Sequence, residues 1–123
     1  MSNRRILTIE DDPDILAILE IVFQDEGFEF ISNSKGMDVD EIALVHADLL
    51  LLDVRIFGFE KTGAEICREL KQNAETSNLP IILISAEQNL AHLAEACGAD
   101  HYISKPFDID HIVKIVNQFA LPN

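Results

Sequence analysis

Five short apolar runs, each followed by a stretch with helical spacing, constrain this chain more than any other feature. The runs are RILTI (5–9), FEFIS (28–32), ADLLLLD (47–53), PIILIS (80–85) and HYIS (101–104). Several are nearly continuous rather than alternating, as expected of strands covered on both faces in a parallel sheet. Elsewhere apolar residues recur every three or four positions. Ile15, Leu16, Leu19, Val22 and Phe23 form one stripe, with Gly27 placed to cap its carboxyl end. Met37, Ile42 and Val45 outline a weaker helix within 37–46, and Ile66, Cys67 and Leu70 a third. Leu90, Leu93, Ala94 and Cys97 supply a fourth ending at Gly98, and Ile109, Ile112, Val113, Val116 and Phe119 the last. Strand–helix alternation five times over calls for right-handed crossovers. It predicts an α/β fold, a doubly wound five-stranded parallel sheet with five helices.

A chain of 123 residues without internal repeat or proline-rich linker fits one domain, 1–123, with a core of its own. The formal net charge of -13, from 22 acids against 9 bases, argues against direct binding to a nucleic acid backbone, which requires a basic patch. No leader-like segment and no apolar run of bilayer length is present, so a soluble, cytoplasmic protein without membrane insertion is expected. Cys67 and Cys97 lie in helix-like sequence without a CxxC spacing and are expected to be buried, reduced thiols.

In doubly wound sheets ligands bind beyond the carboxyl ends of the strands, near the point where strand order reverses. The residues there are Glu10, Asp11 and Asp12 after the first run, Asp53 closing the third, Ser85 closing the fourth and Lys105 past the fifth. Three consecutive acids have two competing uses. They favour the first turn of a helix, or they form half of a cation site. An Asp ending LLLLD is costly unless its charge is compensated, by a metal or by a lysine. Magnesium takes hard oxygen ligands, usually one or two carboxylates with waters, and shares its shell with phosphate. Asp11 and Asp53 supply such a pair. A lysine such as Lys105 neutralises phosphate oxygens, a hydroxyl such as Ser85 hydrogen-bonds one, and an Asp carboxylate can be the nucleophile for phosphoryl transfer. Alone, each residue reads more simply as a turn former or a cap. Four of them, each at the carboxyl end of a different strand, point to one site.

The segments TIEDDPDI, DLLLLDV, PIILISA and GADHYISKPF, in this order, resemble the receiver domain of bacterial two-component response regulators over essentially the whole chain. The resemblance implies the flavodoxin-like (βα)5 receiver fold with Asp53 as phosphoacceptor. It implies Glu10 and Asp11 as the acidic pair that organises Mg²⁺, Asp11 directly and Glu10 through a water, with the backbone carbonyl of Arg55 completing the protein's share of the shell. Ser85 resembles the hydroxyl that bonds the phosphoryl group, Lys105 the family lysine, and Tyr102 the switch aromatic that moves inward with Ser85. Without the resemblance, Tyr102 reads as an ordinary strand aromatic. Asp12 then caps the helix that Pro13 begins, and Lys105–Pro106 resembles the family's cis lysine-proline turn. The implied partners are a histidine kinase or histidine phosphotransfer protein as donor and a downstream protein target, with a phosphorylation-dependent dimer left open. The implied activity is a switch whose only catalysis is transfer onto its own Asp53 and slow autodephosphorylation. The four histidines need no role in it.

The stretch DVRIFGFEKTG departs from the family pattern. Phe57 stands where proline is usual, and Lys61 and Thr62 read as an insertion before Gly63. The segment between Ser85 and Tyr102 is slightly short, which bears on the partner face. Arg55 and Glu87, of opposite charge and each two residues past a site residue, either meet over the mouth of the site and screen an aspartyl phosphate from water, or stay separate as solvated loop residues. Three rival readings compete. A phosphatase of the haloacid dehalogenase type wants a second Asp two residues after the first, where Arg55 stands. A flavin carrier wants a phosphate loop after the first strand, where three acids stand. A receiver-like interaction module acting without phosphorylation is the alternative function.

Overall fold

The computed structural model describes residues 4–120, so the extreme ends of the expected 1–123 domain lie outside the described part. Strands and helices alternate as β1 (Arg5–Ile9), α1 (Pro13–Asp25), β2 (Glu29–Asn33), α2 (Val39–Val45), β3 (Leu49–Asp53), α3 (Gly63–Gln72), β4 (Ile81–Ser85), α4 (Leu90–Cys97), β5 (His101–Ser104) and α5 (Ile109–Ala120). All strands join one parallel sheet in the order β2-β1-β3-β4-β5. The chain therefore reverses direction across the sheet between β1 and β3, which makes their carboxyl ends the switch point. Register levels the strand ends there: Ile9 pairs with Leu52, Asp53 with Ile84 and Ser85 with Ser104.

The near-continuous apolar runs are explained by two cores. Successive side chains of a strand face opposite sides. Leu7, Ile9, Leu50 and Leu52 pack with Ile42, Ile66, Leu70 and Leu90 under α2, α3 and α4. Ile6, Leu49, Leu51 and Ile84 pack with Leu19, Phe23, Ile112 and Val116 under α1 and α5. Every residue of β3 and β4 is buried. Edge strand β2 has polar and exposed positions and is displaced one residue from the expected 28–32. Phe28 stays outside the ladder because its N–H closes the end of α1 on the Phe23 carbonyl at 2.9 Å and its ring meets Phe23 edge-on.

Local signals at the helix ends place the functional loops. Asp12 caps α1, its Oδ1 accepting from the N–H groups of Asp14 at 2.9 Å and Ile15 at 3.4 Å. Thr62 is more than an inserted loop residue: its hydroxyl accepts from Glu65 N–H while the Glu65 carboxylate accepts from Thr62 N–H, a capping box that fixes the start of α3. Lys61 pairs with Glu69 at 3.0 Å. Gly63 opens α3 against the end of β3, where a Cβ would run into the Asp53 carbonyl. Cys67 and Cys97 are free and buried, as the sequence predicts.

Candidate functional site

The level strand ends bring Glu10, Asp11 and Asp53 together, one oxygen from each lying within 4.8 Å of the others. Glu10 and Asp53 are buried, while Asp11 is partly exposed. Lys105 reaches the cluster from the loop after β5, its Nζ 2.8 Å from Glu10 Oε1 and 3.2 Å from Asp53 Oδ2. The backbone supplies further donors. Asp53 Oδ1 accepts from Arg55 N–H at 3.2 Å, Glu10 Oε2 from Asp12 N–H at 3.1 Å, and Asp11 Oδ2 from Phe57 N–H at 2.8 Å. Buried Ser85 ends the neighbouring strand, its hydroxyl accepting from Glu87 N–H at 3.0 Å. Lys105–Pro106 is cis.

Three carboxylates against one ammonium leave the cluster short of positive charge. Burial chiefly, and the neighbouring Asp53 next, push the Glu10 carboxyl up to about 7, although Lys105 opposes them. Partial burial pulls Asp11 upward too, but the Phe57 amide and its other hydrogen bonds outweigh it and hold the acid below its ordinary value. Lys105 stays above its ordinary value because its contacts with Glu10 and Asp53 outweigh burial. A set of hard oxygens with uncompensated negative charge suits a small divalent cation such as Mg²⁺.

Four of the residues singled out in the sequence, Glu10, Asp11, Asp53 and Lys105, therefore meet, and Ser85 stands at the adjoining strand end. Tyr102 is not in the cluster: on β5 its side chain is 39% exposed. Arg55 and Glu87 do meet, Nε to Oε1, across the loops that follow β3 and β4, and the arginine is largely exposed. The sequence reading missed the Phe57 amide. The signal was available in outline, since any residue but proline at this position brings an N–H to the loop beside the acids. Also unforeseen is an apolar groove of about 410 Å³ beside Lys105, lined by Ile15, Ile18, Ala86, Pro106, Phe107 and Ile109.

Fold and site together define a doubly wound α/β domain with a lysine-neutralised carboxylate pocket at its switch point. The chain belongs to the response regulator receiver domain family, whose family model matches residues 6–117, and is a receiver domain of two-component systems. It is 36% identical over 113 residues to the phosphate regulon transcriptional regulatory protein PhoB of Rhizobium meliloti, a match covering 89% of this chain and 48% of that protein. It thus spans about half the length of that relative. It is 31% identical over 120 residues to sporulation initiation phosphotransferase F of Bacillus subtilis, covering 97% of this chain and 95% of that protein. Among solved structures, the chemotaxis protein CheY4 of Vibrio cholerae superposes with a TM-score of 0.78 at 20% identity, covering 96% of this chain and 99% of that one. The receiver domain of a sensor histidine kinase from Pseudomonas aeruginosa, solved with a magnesium ion in its active site cleft, superposes with a TM-score of 0.80 at 21% identity, covering 97% and 98%. At these identities the structural likeness establishes the fold. No helix among the described residues is long and apolar enough to cross a membrane.

Proposed function

We propose that this chain is a phosphorylation-controlled signalling switch that takes a phosphoryl group onto Asp53 from a histidine kinase or histidine phosphotransfer protein. The observation that carries the reading is Lys105 Nζ ion-paired with both Glu10 and Asp53 inside a carboxylate cluster that needs further positive charge. Asp11, Asp53 and the Arg55 carbonyl would hold Mg²⁺, with Glu10 acting through a water. The cation, when bound, neutralises charge on the transferring phosphoryl oxygens.

The protein's own groups account for the rest. An Asp53 carboxylate oxygen forms the bond to phosphorus as the P–N bond of the donor phosphohistidine breaks, and the imidazole leaves with a proton from solvent. Lys105, already on Asp53, keeps its charge beside the new phosphoryl oxygens. Ser85, which accepts from Glu87 N–H, has its own proton to offer a phosphoryl oxygen. Movement of Ser85 toward that oxygen vacates space for the exposed Tyr102 to turn inward. The modification biases two conformers only as far as it binds one of them better. The apolar groove beside Lys105 supports docking of the donor protein, and the Tyr102 face with α4 and α5 is the output surface for a downstream protein. The chemistry is confined to Asp53 of the chain itself, so turnover of a separate substrate is not part of the function. A cytoplasmic, net-acidic module acting through proteins rather than on DNA fits the charge of -13.

Intact mass after incubation with acetyl phosphate tests the proposal. The expected result is a gain of one phosphate that requires both Mg²⁺ and Asp53 and is absent in Asp53→Asn. No gain under any condition would refute it and leave an interaction module acting without phosphorylation.

A further inference from the structure

We propose that the backbone N–H of Phe57 is a positioning group for the cation site, holding Asp11 in the cluster before the cation arrives. This rests on the reading of the cluster as a Mg²⁺ site. The N–H donates to Asp11 Oδ2 at 2.8 Å, joining the β3–α3 loop to the entry of α1 across 46 residues of sequence. Asp11 is the most solvent-accessible of the three acids and sits beside two buried carboxylates. Without a donor, repulsion drives it outward into water. An ionised carboxylate has acceptor capacity on both oxygens, so Asp11 can keep the amide on Oδ2 and offer Oδ1 to a cation.

The turn containing Phe57 indicates what the residue contributes. Phe59 N–H closes on the Ile56 carbonyl at 3.1 Å, and Gly58 in the third position has φ 82 while Phe57 is not in the positive-φ region. That combination defines a type II turn, which favours proline at its second position. The proline usual in the family would therefore fit this turn, but it has no N–H to give. Nor does the loop need the Phe57 ring, which is 90% exposed. The loop is anchored elsewhere, by Phe59 packed on Gly36, where a Cβ would strike the ring, and by Gly63 against the Asp53 carbonyl. The donated hydrogen bond is what Phe57 adds and proline cannot.

Calorimetric titration with MgCl₂ of the wild type, Phe57→Pro and Phe57→Ala separates the amide from the ring. A hydrogen bond to an ionised group predicts that Phe57→Pro raises the Mg²⁺ dissociation constant about tenfold. Phe57→Ala, which retains the N–H, binds like the wild type. Equal affinity of Phe57→Pro and the wild type overturns the inference, as does equal weakening in both variants. A wild type that takes up no Mg²⁺ removes the cation site itself, and this inference with it. Should Phe57→Pro fail to fold, amide hydrogen exchange decides. Phe57 N–H is protected in the wild type and exchanges faster in Asp11→Ala, and equal exchange in the two proteins overturns the inference.

Discussion

Replacing Glu10 by Gln tests the charge imbalance of the pocket directly. Glu10 is fully buried, and burial, reinforced by Asp53 and opposed by Lys105, raises its carboxyl from 4.5 to about 7. An acid that binds its proton more tightly when folded favours the folded state most below its unfolded pKa. Wild-type stability therefore falls as pH rises from about 4.5 through about 7 and is level beyond. At 1.36 kcal/mol per pKa unit the rise corresponds to about 3 kcal/mol. Gln removes the charge at nearly the same volume but weakens the contact with Lys105, so a net gain of about 2 kcal/mol is expected near pH 8. For a domain of this size that is an increase in Tm of about 8 °C. Thermal and urea unfolding of both proteins in EDTA, from about pH 4.5 to pH 8.5, would resolve it. The two curves should approach each other toward the acid end, where Glu10 is protonated in the folded state and about half protonated in the unfolded one. Magnesium should stabilise the wild type more than the variant. If Gln gives no added stability near pH 8, or a gap of the same size at both ends of the range, the buried carboxylates do not compete for the charge of Lys105.

Three further substitutions probe neighbouring parts of the molecule. Gly63→Ala drives a methyl into the Asp53 carbonyl and should cost about 1–3 kcal/mol in urea unfolding while slowing phosphorylation of Asp53; wild-type values would show that α3 can move away freely. Asp12→Ala removes the cap of α1 and should cost about 1 kcal/mol, with Asp12→Asn recovering most of it. Arg55→Ala opens the ion pair with Glu87 and should quicken loss of phosphate from Asp53 a few-fold with Tm unaltered; an unchanged decay rate would reduce the pair to a surface contact.

The β-α alternation was legible because burial on both sides makes a central strand nearly pure apolar sequence, as LLLLD and IILIS show. The edge strand was read one residue early because Phe28 is as apolar as a strand residue but belongs to the end of α1. The acids and the lysine could be placed on one edge because parallel strands put all their carboxyl ends on the same side. What periodicity cannot specify is how two loops meet. The Arg55–Glu87 contact was one of two open readings, and the Phe57 amide is a backbone group that every residue except proline carries, invisible until the turn aims it at Asp11. Thr62 and Lys61 looked like additions to a loop. Their roles depend on Glu65 one turn and Glu69 two turns further on, pairings that follow only once the helix start is known.

The two unmodified cysteines make the α3–α4 seam observable without any engineered label. Cys67 Sγ lies 3.6 Å from the Cys97 carbonyl, both side chains are sealed from solvent, and burial pushes the Cys67 thiol upward, so neither can react from the closed form. Alkylation in native buffer must then wait for α4 to lift from the sheet, and its rate becomes a clock for that opening. Because α4 begins five residues after Ser85, phosphorylation that tightens or loosens this helix would change the labelling rate relative to that of the resting protein.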